Sequence, residues 1–372
     1  MARRGNSEGS IYQRSDGYWV AAVSTSGKRR VVYAKTRREV AEKLAALQQA
    51  ASTGTLVGAS RLTVKDFMQQ WLDAASLTCK PSTLYGYRVV VRCHLVPEVG
   101  ALALQKLAAQ HIVRLYQAKR QQGLSPRRVQ IIHAVLHRAL TEAVRWRLVP
   151  RNVADDVKPP RQEHQEPRIW SLDEVRAFVN TAQSSADRYA PALVLALALG
   201  LRESELLGLR WDSLSTEQGT ITVDRALTWV GGVPTWGTPK SRAGRRVLPL
   251  PQPAREALAR LREQQDQDRF KAGHDWQPTE GRIVTSRVGT VPTPNRLKDT
   301  LDRLCARAAV PRLTVHQLRH QCASLLFAAG ADIKQVQHFL GHSRASVTLD
   351  VYMHLLNATS GEMARRLDQM LG

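Results

Sequence analysis

The sequence has little of what several large protein classes require. The longest near-continuous apolar run, Ala190 to Leu201, suits a buried helix and is too short to span a bilayer. The first residues hold no apolar core that could serve as a signal peptide. Four cysteines, too scattered for a disulfide framework or a Cys-x-x-Cys zinc module, lie at Cys79, Cys93, Cys305 and Cys322. Together these absences predict a reduced, soluble protein of the cytoplasm.

Motifs of metal-dependent and nucleotide-dependent catalysis are also missing. The C-terminal part has no glycine-rich phosphate loop, no Gly-x-Ser-x-Gly and no acidic cluster for magnesium. His316 and His320 match the spacing of the zinc-protease pattern His-Glu-x-x-His. However, Gln317 replaces the required base, and Arg319 would put a cation beside the metal. No metal site and no cofactor are therefore expected.

Positive charge is in large excess. Lysine and arginine number 54 against 32 acidic residues, which gives a formal net charge of +22 over 372 residues. A polyanionic partner would offset the self-repulsion, and nucleic acid is the simplest one. Residues 1–160 carry +16 of the charge, so we expect the N-terminal part to supply most of the grip on DNA phosphates.

Residues 1–55 are predicted to form a small domain of three strands and one helix. Three short alternating segments between residues 10 and 33 are separated by Ser-Asp-Gly and Ser-Gly turns, and a helix follows from the capping box Thr36-x-x-Glu39. A sheet face of this width fits the major groove of DNA, although a solvated basic hairpin is an even alternative. The residues that could line such a face are Arg14, Lys28, Arg29 and Arg30.

Residues 61–155 are predicted to form a basic helical bundle. Thr63 begins one helix, Ser82 is a candidate cap for a second, and Ser125-Pro126 begins the clearest, with a continuous apolar stripe. Two arginines that fall largely off this stripe are candidate DNA contacts: Arg127 and Arg128. A charged helix face is usually just solvated, so this interpretation rests on the net charge of +10 over residues 61–160.

Residues 165–372 are predicted to contain helices and a small antiparallel sheet, and they hold the candidates for chemistry. Arg202 follows the helix-breaking Gly200 and can present its guanidinium to a phosphate or pair with Glu205. The predicted helices cover residues 172–182, 187–199, 203–210, 253–264, 294–309, 316–329 and 333–340, and the strands cover 219–223, 228–229 and 245–250.

Three further motifs are weak when each is taken alone. Lys240 lies in a turn before a strand, where a lysine is normally a solvated charge. His316 and Arg319 are three residues apart, so one helical face presents both. Gly341 is a natural helix-ending residue that would leave His342 just past the helix, and Tyr352 follows ten residues later. A lone histidine or a lone tyrosine in such a position usually serves packing within its own domain.

The order of these motifs is the strong signal, because it resembles that of the tyrosine recombinases, the phage integrase family. The resemblance covers residues 170–372 and also matches the family's usual acidic residue, at Glu205. Residues 61–155 look like the family's helical core-site-binding domain, and residues 8–50 like its three-stranded arm-site-binding domain. The six matching catalytic positions are Arg202, Lys240, His316, Arg319, His342 and Tyr352. The implied fold class is multidomain and mainly α, with an α+β catalytic domain at residues 165–372.

The resemblance implies a role for each catalytic position. Tyr352 attacks a DNA phosphodiester to give a 3′-phosphotyrosyl link and a free 5′-hydroxyl, and two arginines clamp the phosphate oxygens. His316 accepts the tyrosine proton, Lys240 protonates the leaving oxygen and His342 hydrogen-bonds the phosphate. Since the covalent ester conserves bond energy, rejoining needs neither ATP nor metal.

The resemblance also implies partners. These are double-stranded DNA at core and arm sites, a homotetramer on two core sites, a host DNA-bending protein and an excision factor, in the nucleoid of a bacterial host and away from membranes. An amphipathic tail after His354 is expected to dock on a neighbouring protomer, with packing on its own domain as the alternative. Rival functions are resolution of chromosome or plasmid dimers, a type IB topoisomerase, and a catalytically silent DNA-binding regulator.

Deletion of residues 1–55 tests the predicted N-terminal domain. We expect the truncated protein to lose binding at distal arm sites and still to cleave core sites, because the cleaving residues lie beyond residue 200. Gel-shift assays on separate arm-site and core-site duplexes measure the two properties. Retained binding at distal sites would refute the domain assignment.

Overall fold

The computed structural model describes residues 9–25, 28–52, 61–162, 168–239, 242–278 and 280–341, together with residue 368. The chain divides into two compact units, residues 1–163 and 164–372. Within the described ranges, no helix is both long enough and apolar enough to cross a membrane.

Residues 9–52 form a three-stranded antiparallel sheet covered by one helix. The strands are β1 (Ser10–Gln13), β2 (Trp19–Thr25) and β3 (Lys28–Ala34), in the order 1-2-3, and the helix is α1 (Arg37–Ser52). Their small core contains Ala21, Val23, Ala34, Val40 and Leu44. The predicted three strands and helix are confirmed.

Two of the basic residues that were predicted to line a face of this sheet have described side chains. Arg29 is exposed in β3, where it alternates with the exposed Val31 and Tyr33, and Arg14 is exposed just after β1. The side chains of Lys28 and Arg30 lie outside the described part of the structure. Contact of these four residues with DNA stays a prediction.

Residues 61–162 form a helical bundle around a single apolar core. Thr63 and Ser125 cap their helices through side-chain oxygens, as predicted, but Lys80 with Pro81 at the first helical position replaces the expected cap Ser82. A π-helical turn, Val91–Leu95, follows α3 directly. The helices are α2 (Val64–Ser76), α3 (Pro81–Val90), α4 (Val96–Val99), α5 (Ala109–Gln121) and α6 (Pro126–Arg145).

The second unit has seven helices in its described residues, and α8 lies at their centre, with side chains that are buried almost all round. Such a helix shows no amphipathic stripe, because every face is a core face. The helices are α7 (Leu172–Ser184), α8 (Ala190–Leu199), α9 (Glu203–Gly208), α10 (Gln252–Ala272), α11 (Pro294–Arg307), α12 (Val315–Ala328) and α13 (Ile333–Leu340). The predicted fold class, mainly α with an α+β C-terminal domain, is confirmed.

The strands of this unit form two separate antiparallel sheets, where one was predicted. They are β4 (Leu214–Ser215), β5 (Thr220–Val223), β6 (Ala226–Val230), β7 (Val233–Gly237) and β8 (Arg246–Pro249). One sheet has the order β4-β5-β8, and β6 pairs only with β7. The sequence prediction missed β7 because its Pro234 is unusual within a strand.

Replacement of Leu136 by alanine tests the bundle core. Leu136 in α6 is fully buried, so the cavity should lower the free energy of unfolding of the bundle by about 2–5 kcal/mol. The control Val113→Ala, on the exposed surface of α5, should change it by less than about 0.5 kcal/mol. Hydrogen exchange of the bundle amides measures both; equal protection in the two variants would contradict the assigned core.

Candidate functional site

Arg202 lies at the break between α8 and α9. Gly200 ends α8 in the left-handed conformation, with φ of 58°, and Arg202 is the residue that precedes the first turn of α9. Its backbone N–H and its Nη1 donate to the carboxylate of Glu205, at 3.1 and 2.5 Å, and its Nη2 donates to the carbonyl of Gly341 at 3.3 Å. The expected pairing with Glu205 is present, and 22% of the Arg202 side chain stays exposed.

Arg319 lies on α12 and is almost completely buried. Its Nη1 donates to the carbonyl of Gly200 at 2.8 Å, and its Nη2 donates to the carbonyl of Leu340 at 2.5 Å. Burial, and then the neighbouring Arg202 guanidinium, lower the pKa of Arg319 to about 9, against the opposing effect of Glu205. At neutral pH the group is therefore still a cation.

Glu205 is a buried carboxylate among three guanidinium groups. Its side chain is 1% exposed and contacts Arg202 at 2.5 Å, Arg246 at 3.1 Å and Arg319 at 3.7 Å. Burial alone would raise the pKa of Glu205, but the charge of Arg246 and then that of Arg202 hold it below its ordinary value. Three arginines and one carboxylate leave this cluster with a net positive charge.

Arg246, at the start of β8, belongs to this cluster and was missed in the sequence analysis. Its Nε donates to the carbonyl of Phe339 at 2.7 Å, its Nη1 to the carbonyl of Gly244 at 3.0 Å and its Nη2 to Glu205 at 3.1 Å. One signal could have found it. Arg246 alternates along the strand with the apolar Leu248 and Leu250, which places it on the buried face, where an arginine needs a partner.

The three arginines meet at the carboxyl end of α13. The carbonyls of three consecutive residues each accept a hydrogen bond from a different arginine: Phe339 from Arg246, Leu340 from Arg319, and Gly341 from Arg202. The carboxyl end of a helix carries unpaired carbonyls and partial negative charge, so cations stabilise it. These contacts bring together segments that lie far apart in the sequence. An oxyanion beside Arg202 would meet cations already held in place.

Of the four remaining predicted catalytic residues, the structure describes one and leaves three outside its described ranges. His316 is exposed on α12, with its ring centroid 5.0 Å from that of His320 in an edge-to-face arrangement. Lys240, His342 and Tyr352 lie outside the described residues. Their predicted roles stay predictions.

The described side chains among the predicted DNA contacts of the first unit are exposed or half-buried. Arg14 is exposed and lies 3.5 Å from the carboxylate of Asp16. Arg127, exposed in the first turn of α6, donates to the side chain of Gln130 at 3.4 Å, and Arg128 is half-buried beside it. In the part of the chain that the structure describes, no three His, Cys, Asp or Glu side chains lie close enough to hold a metal ion.

Comparisons with known proteins agree with this architecture. The Phage integrase family profile matches residues 169–359, just over half of the chain, and the profile "Phage integrase, N-terminal SAM-like domain" matches residues 63–119. An integrase of Saccharopolyspora erythraea is 26% identical over 98% of this chain and 97% of its own. The tyrosine recombinase XerC of Pseudomonas putida is 30% identical over 73% of this chain and 85% of its own.

A solved structure shares the fold. The integrase of the transposon Tn1549, in complex with transposon right end DNA, superposes with a TM-score of 0.66 at 21% identity. The match covers 80% of this chain and 98% of that chain.

Replacement of Gly341 by alanine tests the packing at the end of α13. Gly341 has a φ of 68°, and an added Cβ would lie 2.5 Å from the carbonyl oxygen of Ala243. The control Gly330→Ala follows α12 with a φ of 88° and meets nothing within 4 Å, so it should cost only the left-handed strain of about 1–2 kcal/mol. We expect Gly341→Ala to lower the thermal unfolding midpoint further. Equal midpoints would argue against the close approach.

Proposed function

The chain belongs to the phage integrase family of site-specific tyrosine recombinases, and we propose that Tyr352 is its nucleophile at a phosphate held by Arg202 and Arg319. Attack on a DNA phosphodiester forms a 3′-phosphotyrosyl bond and releases a 5′-hydroxyl, and reversal of the same step on a new strand completes recombination. The single observation that carries the proposal is the convergence of buried, fixed arginines around Glu205.

The arginine cluster suits the charge that develops during this reaction. The phosphodiester is already anionic, and the transition state puts more negative charge on its non-bridging oxygens. Guanidinium groups bind such oxygens through parallel N–H donors, and they act most strongly where the surroundings are dry and the donors are already oriented. Arg202 is partly exposed, so it can receive a phosphate, and the burial of Arg319 behind it keeps that charge poorly screened.

Two proton transfers complete the chemistry. A tyrosine hydroxyl has an ordinary pKa near 10 and must lose its proton as it attacks, so a nearby base is needed. We assign this role to His316, which is exposed on α12 three residues before Arg319. Lys240 protonates the leaving 5′-oxygen and His342 hydrogen-bonds the phosphate in this proposal, by analogy with the family.

DNA is held by the basic N-terminal part of the chain. Residues 8–50 bind arm sites, with Arg14, Lys28, Arg29 and Arg30 as candidates, and residues 61–155 bind core sites, with Arg127 and Arg128 near the start of α6. Four protomers assemble on two core sites, each docking its C-terminal segment on a neighbour. A host bending protein and an excision factor complete the assembly, in the cytoplasm of a bacterium and associated with its nucleoid.

A second function, resolution of chromosome or plasmid dimers, is favoured by one finding. The relative from Pseudomonas putida is named tyrosine recombinase XerC, and its match covers 73% of this chain. The integrase from Saccharopolyspora erythraea matches nearly the whole chain, including the N-terminal sheet that a dimer-resolving enzyme usually lacks. The coverage therefore favours integration and excision of a mobile element.

Tyr352→Phe separates cleavage from binding. Removal of one hydroxyl should abolish the covalent protein–DNA adduct on a nicked core-site duplex and leave DNA affinity within about twofold, because the phosphate contacts that set affinity are kept. Denaturing gels detect the adduct, and gel shifts measure affinity. Tyr12→Phe, which removes an exposed hydroxyl from the N-terminal sheet, is the control and should form the adduct normally. An adduct formed by Tyr352→Phe would disprove the assigned nucleophile.

A further inference from the structure

We propose that Arg246 is a positioning residue for DNA cleavage, which acts through Glu205 and through the end of α13 on the two phosphate-binding arginines. The inference rests on the proposed function, because it concerns the same phosphate. Arg246 itself is 1% exposed at its side chain, so it cannot be the group that first meets DNA. Its effect must pass through the residues that it contacts.

Glu205 is the first of these contacts. Its Oε1 accepts from the Arg202 guanidinium, while its Oε2 accepts from the Arg246 guanidinium at 3.1 Å and from the backbone N–H of Arg202 at 3.1 Å. With one oxygen fixed by Arg246, the carboxylate plane is fixed, and so is the direction in which Oε1 holds Arg202. Loss of Arg246 leaves Oε2 with the backbone N–H of Arg202 as its hydrogen-bond donor, so the carboxylate is held less firmly in this plane.

The end of α13 is the second contact. Arg246 donates to the carbonyl of Phe339, the residue before the Leu340 carbonyl that Arg319 holds. The loop before β8 also closes on Gly341, whose Cβ position would meet Ala243 and then Arg246. Arg246 therefore holds the helix end that carries an anchor of Arg319 and one of Arg202.

Charge is the third link. The negative charge of Glu205 offsets part of the positive charge with which Arg202 and Arg319 attract a phosphate. The positive charge of Arg246 compensates for that carboxylate. Without Arg246, one buried carboxylate would face two guanidinium groups, and the charge left for the phosphate would be halved. The consequence depends on the charge of the substrate, which a purely structural role would not predict.

A methylphosphonate at the scissile position exposes this dependence. The methyl group replaces one non-bridging oxygen and removes the negative charge of the phosphate, so less cationic stabilisation is required. A variant that weakens the arginine cluster should lose less activity on this substrate than on the ordinary diester. A variant that only damages the fold should lose the same factor on both.

The experiment measures single-turnover strand breakage by the full-length protein on the two substrates, with core-site sequence taken from the junctions of the integrated element. Arg246→Met should slow breakage of the diester roughly 10- to 100-fold, as is common when a group that orients a reacting residue is lost. On the methylphosphonate it should lie within about threefold of wild type. Arg246→Lys keeps the positive charge but not the paired N–H donors of the guanidinium. Its rate on the diester should therefore lie between those of wild type and Arg246→Met.

Arg282→Met is the matched control. Arg282 is a buried arginine of the same unit that contacts Glu280 and the carbonyls of Pro278 and Gly289. Arg282→Met should lose the same factor on both substrates, because its side-chain contacts are made with residues 278–289 and with the ring of Trp236, away from Glu205 and the end of α13.

The outcomes separate the two ideas. Wild-type rates for Arg246→Met on the diester, or an equal loss on both substrates, would overturn the positioning role while leaving the nucleophile intact. If Arg246→Met does not fold, the same comparison with Arg246→Lys decides, and failure of both to fold would mark Arg246 as structural and also overturn the proposal. Absence of strand breakage by the wild-type protein would instead reject the proposed function, and this inference with it.

Discussion

The geometry of the candidate site in the C-terminal unit depends on the ion pairs and hydrogen bonds of the buried Glu205 carboxylate. A carboxylate that is 1% exposed is costly unless it is paired and hydrogen-bonded, and here three arginines and one backbone N–H surround it. The arginines in turn would repel one another without it. A buried ion cluster of this kind contributes little net stability, since desolvation offsets the Coulomb attraction. What the cluster provides is a fixed geometry for its guanidinium groups, and the flexible side chain of a surface arginine would lack such a geometry.

Two kinds of electrostatics operate in this chain, and they respond differently to salt. Among the described residues of 9–160 most lysines and arginines are exposed, so their attraction for DNA is screened and falls as ionic strength rises. The cluster around Glu205 is buried, and salt ions cannot come between its members. Salt therefore weakens the capture of DNA much more than the stabilisation of a phosphate already in place.

The order of the motifs was readable from the sequence, but the packing that joins them was not. Arg202, Glu205 and Arg319 were found because each stands in a short pattern with helix-breaking or helical spacing. Arg246 stands among other basic residues, and its alternation with Leu248 and Leu250 was the one local signal that it is buried. Its contacts with Glu205 and with the end of α13 join segments that are distant in the sequence, so local patterns could not supply them.

Local rules failed in the first unit for similar reasons. Ser82 has the chemistry of a cap, yet Pro81 fits the first helical position better, so α3 begins two residues earlier than a cap at Ser82 would allow. The charge of the first unit could be predicted by counting residues, whereas the exposure of each charged side chain, such as the half-buried Arg128, required the fold.

The pKa values of Arg319 and Glu205 keep the charges of both groups constant near neutral pH. Arg319 has its pKa lowered to about 9 by burial and by Arg202, so it loses charge only under alkaline conditions. Glu205 has its pKa held below the ordinary range, against the effect of burial, by Arg246 and Arg202. Because the pKa of Glu205 is lowered in the folded state, its ionisation stabilises the fold at pH values above the ordinary pKa of a carboxylate. This stabilisation is lost as the pH falls and the group is protonated. Between these limits Arg319 and Glu205 keep their charges. The pH dependence of strand cleavage near neutrality must then come from the groups that move protons, and a histidine suits that task because the ordinary pKa of an imidazole is near 6.5.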